Sequence, residues 1–328
     1  MCCLHKGRIL MDITFNELSH GVPAPTQALA RQHMATFIQT IRALAQLGVS
    51  RTVRAMKGIG EAQLAPNYLL AQWFNDDGVD RDARRFFKAV ATKAPHLDDI
   101  MRGLSENRRT DFDFRFDGQP AVGLGVAYLL DGPAASLGIV DAFRSDPVAI
   151  DLCSLDSEGQ FRQETVSVCS IVTPEQVAAR ADWIRERIEA ERRALRGMVN
   201  GEQLWERKEH RWPHLVFCER VRPQVLQLHG TELFFAQIIR HLDLLEGATE
   251  AWDGGKFPLR GVAWSYESAS TMNDHDLAAL RKFAFPDGLV RVCSPHTKIL
   301  GANIRIHFYP DLGRRTTYIG YVGPHLQI

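Results

Sequence analysis

Apolar residues recur at helical spacing through PTQALARQHMATFIQTIRALAQL, where Leu29, Met34, Phe37, Ile38, Ile41, Leu44 and Ala45 fall on one stripe and Gly48 stops the run. The spacing predicts an amphipathic helix over 25–47. Two further helices are expected, roughly over 67–74 and 80–91. The turn Asn75-Asp76-Asp77-Gly78 separates them, and Asp80 is placed to cap the second. Beyond about Arg109 the period changes. DFDFRF alternates polar and apolar, and AVGLGVAYLL, AASLGIV, VAIDLCS and ETVSVCSIV follow as short apolar runs divided by DGP, RSDP and DSEG. That pattern predicts a β-meander over 111–172. Thr173-Pro174-Glu175-Gln176 then supplies a cap, a proline at the first helical position and the glutamine of a capping box. The helix it opens is expected to reach Gly197, with Trp183, Ile184, Ile188 and Leu195 turned inward.

HLVFC, from His214, reads as a further buried strand, and helices are expected from about Arg222 and from Thr231 to Gly247. DGGKFP, Asp253–Pro258, is the clearest linker candidate. After it come GVAWSYES, a short helix DHDLAALRKF, the run LVRVCS, and NIRIHFY and TTYIGYV joined by PDLGRR as a β-hairpin. The fold class expected is α+β. A mixed body spans 12–250 (helical 25–100, β-meander 111–172, helical 174–247), and a small β-rich C-terminal domain spans 256–328.

Composition narrows the function classes. Among 328 residues, 39 Lys and Arg balance 39 Asp and Glu. A surface wrapped in nucleic acid would be basic, and a disordered solvating chain would carry a charge excess. With 45% hydrophobic and 24% charged residues the chain is of globular type. Cys153, Cys169, Cys218 and Cys293 are scattered, and Cys2-Cys3 lacks metal-ligand spacing, which implies a reducing compartment, the cytoplasm. The start has no apolar run long enough for a signal peptide, and Met11 stands beside Met1 as a first residue of the folded part. Ala121–Leu130 is too short to cross a bilayer, so no membrane partner is expected.

The charge is not evenly spread. From Arg291 to the end, Arg291, Lys298, Arg305, Arg314 and Arg315 meet a single acid, Asp311, and His296, His307 and His325 are added. Alternation in NIRIHFY puts Arg305, His307 and Tyr309 on one face, and PHTK puts His296 and Lys298 together. Cross-strand pairing would gather His296, Lys298, Arg305 and His307 over one polar sheet face. Such a group suits RNA cleavage without metal. One histidine takes the 2′-OH proton, a second histidine or the lysine protonates the leaving oxygen, and the cations hold the charge of the phosphorane. Glu267 in WSYES would orient a histidine or act as base; otherwise it salt-bridges Arg281 or Lys282. The plain alternative for the whole set is a solvated hairpin face. No cofactor and no metal ligands are expected. Asp76, Asp77, Asp80 and Asp82 read as a turn and helix cap rather than a cation loop. Asp151, Asp156 and Glu164 lack the lysine of a metal-dependent nuclease core. Gly123-Leu124-Gly125 lacks a dinucleotide fingerprint's third glycine, and no P-loop, HExxH or GxSxG occurs.

The ending HTK…IRIHFYPD…TTYIGYVG resembles the closing sheet of RelE/ParE-type toxins. Lys298 and Arg305 match the basic positions, while His296 and His307 are this chain's own. The resemblance implies action on ribosome-bound mRNA, as for RelE-like toxins, or on gyrase, as for ParE-like ones. Over most of its length, through FNELS, WFND…VDR…RRFF and PDG…HTK…RIHF…IGY-x-GPHL, the chain is similar to bacterial proteins found on mobile and defence islands. That similarity implies a genomic setting more than a reaction. The expected function is a component of a bacterial defence or toxin-like system. Its basic C-terminal domain would bind nucleic-acid phosphates, RNA rather than DNA, and act as a metal-independent endoribonuclease. The alternative is a non-enzymatic subunit that docks on a protein partner from the same operon.

Overall fold

Thr26 caps the first long helix with its hydroxyl, accepting from the Leu29 amide at 3.2 Å, and the helix Gln27–Gln46 buries Ala30, Met34, Phe37, Ile38, Ile41 and Leu44 along the predicted stripe. The computed structural model describes residues 11–91, 96–98, 100, 112–155, 161–195, 198, 200–229, 234–299 and 304–326. The chain forms two units, and the fold class is α+β with a β-rich C-terminal region. Among the described residues no helix is long and apolar enough to cross a membrane.

One unit comprises Leu10–Asp156 and Phe161–Glu189. Its first sheet runs Ser170–Ile171, Ala134–Ala135, Ile13–Phe15, Val53–Arg54, all pairs parallel, with the helix Gln27–Gln46 as the crossover between the last two. Phe37 packs edge-on to both Phe15 and Phe87 beneath it. Its second sheet is antiparallel, in the order Gln119–Pro120, Phe112–Phe116, Val148–Leu155, Phe161–Val168. The predicted meander is therefore divided. DFDFRF, VAIDLCS and ETVSV pair as expected, but Ala121–Leu130 holds the helix Val122–Leu129 instead of a strand. Periodicity does not separate strand from helix in so short an apolar run. A distant residue decides it: the Glu17 carboxylate accepts from the Val122 and Gly123 amides at 2.6 and 2.7 Å, satisfying the helix start. The two glycines allow the close fit, since a Cβ on Gly123 would stand 2.1 Å from the Phe15 carbonyl oxygen. The Thr173 capping box forms, but the helix it opens, Pro174–Ala179, stops at Arg180, and a second helix, Ala181–Ala194, follows. Arg180 is bound there to Asp146. Over 67–74 a strand, Tyr68–Leu69, precedes the helix Leu70–Trp73.

The other unit takes Ala190–Ile328. Its five-stranded sheet runs Leu215–Phe217, Thr316–Pro324, Ile304–Asp311, His296–Ile299, Trp264–Ser265; the first pair is parallel and the rest antiparallel. The long hairpin is the one its alternation predicts. The unit begins far upstream of the predicted boundary at 250–256. Leu215–Phe217 supplies a strand of the sheet, and the helix Phe235–Glu250 buries Ile238, Ile239, Leu242 and Leu245 in the same core as Phe308 and Ile319. Phe257 and Leu259, in and beside the predicted linker, are buried in that core too. An apolar residue that anchors a coil leaves no compositional mark distinguishing it from a true linker.

Candidate functional site

Antiparallel register places His296 directly opposite His307, and Lys298 directly opposite Arg305. Alternation puts both pairs on one face of the sheet, so the four predicted residues are brought together. The imidazoles lie 4.9 Å apart, tilted by 32°. The face is not open, however. The Glu267 amide donates to the Ser294 carbonyl and hydroxyl, both at 3.2 Å, which ties the chain after Trp264–Ser265 over the start of the neighbouring strand. Asp274 caps the short helix His275–Ala279 by accepting from the Asp276 and Leu277 amides, and the chain then returns Arg281 to the same place. Arg281 Nε donates to Glu267 Oε1 at 3.1 Å, and its terminal nitrogens donate to the carbonyls of Leu277 at 2.9 Å and Leu326 at 2.8 Å. Of the two pairings the sequence left to Glu267, the one with Arg281 is formed. Glu267, Arg281 and both histidines are buried, His296 being 2% and His307 0% exposed.

His307 Nδ1 lies 3.0 Å from the Cys293 carbonyl, which only accepts, so that nitrogen carries the proton. Its Nε2 is buried without a hydrogen-bond partner, 3.9 Å from Glu267 Oε1. His296 Nδ1 lies 3.9 Å from the same oxygen and 3.3 Å from the Ser294 carbonyl, and its Nε2 is 3.5 Å from the Ser265 hydroxyl. Burial, first, pushes both imidazoles well below the ordinary histidine range, and the charge of Arg305 adds to it for each. A general acid or base must come within hydrogen-bond reach of its substrate. Two enclosed, neutral imidazoles do not act as the predicted acid–base pair on a bound strand in this arrangement. Three groups of metal-ligand type, Glu267, His296 and His307, lie within 4.8 Å of one another instead. The sequence already sets Glu267 against a histidine, as an orienting group or base; the convergence of all three ligand atoms on one point is a product of the fold.

The basic end is also smaller than its sequence window suggests. Asp287, four residues before Arg291, accepts from both Arg291 nitrogens, at 2.8 and 2.5 Å, and from Arg314 at 2.6 Å. These cations hold the Asp287 carboxyl far below the usual carboxylate range. The Arg291 guanidinium is itself buried, 3.6 Å over the Tyr318 ring. Arg315 donates to the Glu250 carbonyl at 3.2 Å. Lys298 and Arg305 remain half-buried side by side. They lower the affinity of the neighbouring His325 for a proton, which burial, first, and the charges of Arg305, Arg281 and Lys298 push down to about 3.

A second feature, outside the predicted set, lies at the edge strand Trp264–Ser265. Lys256, Phe257, Pro258, Leu259, Arg260, Trp264, Ser265 and Tyr266 line a hollow of about 480 Å³, and none of them is acidic. Tyr266 is 60% exposed with its ring centroid 5.7 Å from that of Trp264. The Trp264 indole is fixed from behind by its Nε1–H bond to the Leu259 carbonyl at 3.2 Å and by ring contacts with Phe257 and Phe308. Trp264 pairs with Thr297 and Ser265 with His296, so this hollow borders the opposite face of the sheet from the histidines. The interleaving of cations and rings in KFPLRGVAWSY was the available signal.

The remaining acidic candidates are structural. Asp76 accepts from Arg31 Nε at 2.7 Å, from the Gly78 amide at 2.8 Å and from the Tyr68 hydroxyl, while Asp80 caps its helix at the Ala83 amide, 2.7 Å away. Asp151 pairs with Thr165 and Glu164 with Leu152, which sends the two acids to opposite faces; Asp156 lies outside the described residues. The chain matches no family model, and no curated protein and no solved structure is similar to it.

Proposed function

We propose that the C-terminal unit binds single-stranded nucleic acid at the hollow beside Trp264–Ser265. A base stacks on Tyr266 and Trp264, and phosphates rest at Lys256 and Arg260. One observation carries this reading: an exposed tyrosine beside an immobilised tryptophan, between two exposed cations, with no carboxylate in the lining. Sequence-tolerant single-strand sites are made of these parts, and each stacked base contributes about 1–3 kcal/mol. RNA is the first ligand to test, because the closing sheet resembles that of RelE-type toxins. The setting, a bacterial defence or toxin-like system, rests on the likeness of FNELS, WFND and IGYVGPHL to island-borne proteins.

Fluorescence anisotropy with labelled oligo(U) and oligo(dU) should give salt-dependent association. Tyr266→Ala should weaken it by roughly tenfold or more. Replacing Lys256 and Arg260 together with alanine should flatten the slope of log K against log salt by about 1.4, two contacts at about 0.7 each on a single strand. Absence of binding at low salt, or binding indifferent to all three changes, overturns the proposal. RNA incubated with the protein in EDTA should stay intact. Cutting that disappears in His296→Ala would restore the acid–base reading.

A further inference from the structure

The enclosed cluster on the sheet's other face has a chemistry of its own. The Glu267 carboxylate is 1% exposed and receives its charge-balancing bond from Arg281 at Oε1 alone among the described residues. Two imidazole nitrogens stand 3.9 Å from that same oxygen, too far for hydrogen bonds, and all three side chains are at most 3% exposed. A bare, fully buried histidine nitrogen aimed at a buried carboxylate is costly unless something else occupies the space between them. We propose that Glu267, His296 and His307 bind a single divalent transition-metal ion of the zinc class.

The donor set fits. Zinc is bound by histidine nitrogen and carboxylate oxygen at about 2.0–2.2 Å, and ligands at that distance around a tetrahedral ion lie roughly 3.4 Å from one another. Closing each nitrogen on Oε1 by about half an ångström brings those two contacts to that spacing, and all three ligand atoms already lie within 4.8 Å of one another. The second shell is already in place. A metal-bound histidine donates its other N–H to a carbonyl, carboxylate or hydroxyl, which fixes the tautomer. His307 does this through Nδ1 to Cys293 and presents a bare Nε2; His296 faces the ion through Nδ1 once that nitrogen gives up its 3.3 Å contact with the Ser294 carbonyl, its proton then resting on Nε2 toward the Ser265 hydroxyl at 3.5 Å. Arg281 orients the carboxylate at Oε1, and its own charge beside the ion keeps the affinity below that of an all-thiolate site. With three protein ligands the fourth position goes to water or to an added ligand.

The site shares Ser265 alone with the lining of the nucleic-acid hollow, and the two stand or fall by separate readouts. The full chain, stripped with EDTA and dialysed, should take up one equivalent of Co²⁺ whose d–d bands come without thiolate-to-metal charge transfer, the signature of nitrogen and oxygen ligands. Zn²⁺ should bleach those bands and, at a hundredfold excess over its Kd, raise the thermal midpoint by several degrees. Glu267→Gln and His307→Gln should each lose that equivalent and the midpoint shift, whereas Cys2→Ser with Cys3→Ser should keep both. If Glu267→Gln does not fold, the wild-type spectrum and midpoint decide the matter without it. Wild type that shows only thiolate bands, no uptake, or uptake unchanged in folded His307→Gln overturns the proposal, whatever the RNA assay reports.

Discussion

His241 sits on the core side of the sheet, its Nδ1 3.0 Å from the Thr297 hydroxyl, and burial lowers its pKa to about 4. His325 is pushed down to about 3. In the unfolded chain both titrate near 6.5. Below that pH the unfolded state takes up protons that the native state refuses, so the stability these residues supply is complete above about 6.5. It drains away as the pH falls toward 4 for His241 and toward 3 for His325. Each contributes a slope of up to about 1.4 kcal/mol per pH unit. Urea midpoints in EDTA should therefore be level above about pH 7 and fall between about pH 6 and about pH 4.5, and His241→Gln should reduce that slope by up to one residue's share. A midpoint flat across the range contradicts the burial of both imidazoles. At this scale the sequence was most informative about neighbours along a strand: alternation alone brought His296, Lys298, Arg305 and His307 to one face. It did not show what covers that face. Glu267 and Arg281 flank two five-residue helices, Ala269–Asn273 and His275–Ala279, too short to show a period, and Asp287 lies just outside the window in which the end looks basic.

At the scale of elements, the long hairpin carries its own irregularity. His307 opposes Tyr321 and Phe308 opposes Ile319, which leaves Gly320 as the extra residue of a β-bulge. A Cβ there would stand 2.4 Å from Phe283 Cδ2 and 2.8 Å from Cys293 Sγ, both buried. Gly320→Ala should cost about 1–3 kcal/mol as overpacking, read from the urea midpoint. Gly247, in the helix Phe235–Glu250, is the contrasting case: exposed, with nothing within 4 Å of an added Cβ. Gly247→Ala should stabilise by about 0.5–1 kcal/mol. Equal effects at the two positions would place the bulge elsewhere. Elements with a long period or strict alternation, such as Gln27–Gln46 and Ile304–Asp311, were legible from pattern. The parallel sheet was not, because its strands run two or three residues and no period can be counted in them. Val122–Leu129 was misread because its helix start is satisfied by Glu17, more than a hundred residues away.

For the whole molecule the sharpest consequence concerns where the C-terminal unit begins. Composition marks Asp253–Pro258, but the core of this unit draws its buried residues from Leu195 to Leu326 and takes none from the other unit. A chain starting at Lys256 would lack Trp212, Phe217, Phe235, Ile238 and Leu242. It would open the sheet along Thr316–Pro324, whose parallel partner Leu215–Phe217 is gone, and strip the helix that lies against Thr297. An unpaired strand and an uncovered apolar face are the conditions for aggregation rather than folding. A chain starting at Ala190 keeps every buried member of the core, its five strands and the hollow at Trp264. Expressed alone, 190–328 should give a dispersed amide spectrum and one cooperative thermal transition, and should bind oligo(U) as the intact chain does; 256–328 should give neither spectrum nor transition. Cooperative folding of 256–328 would return the boundary to the glycines of DGGK. Failure of 190–328 would mean that the other unit supplies stability through something besides the core, since no core side chain is missing from that fragment.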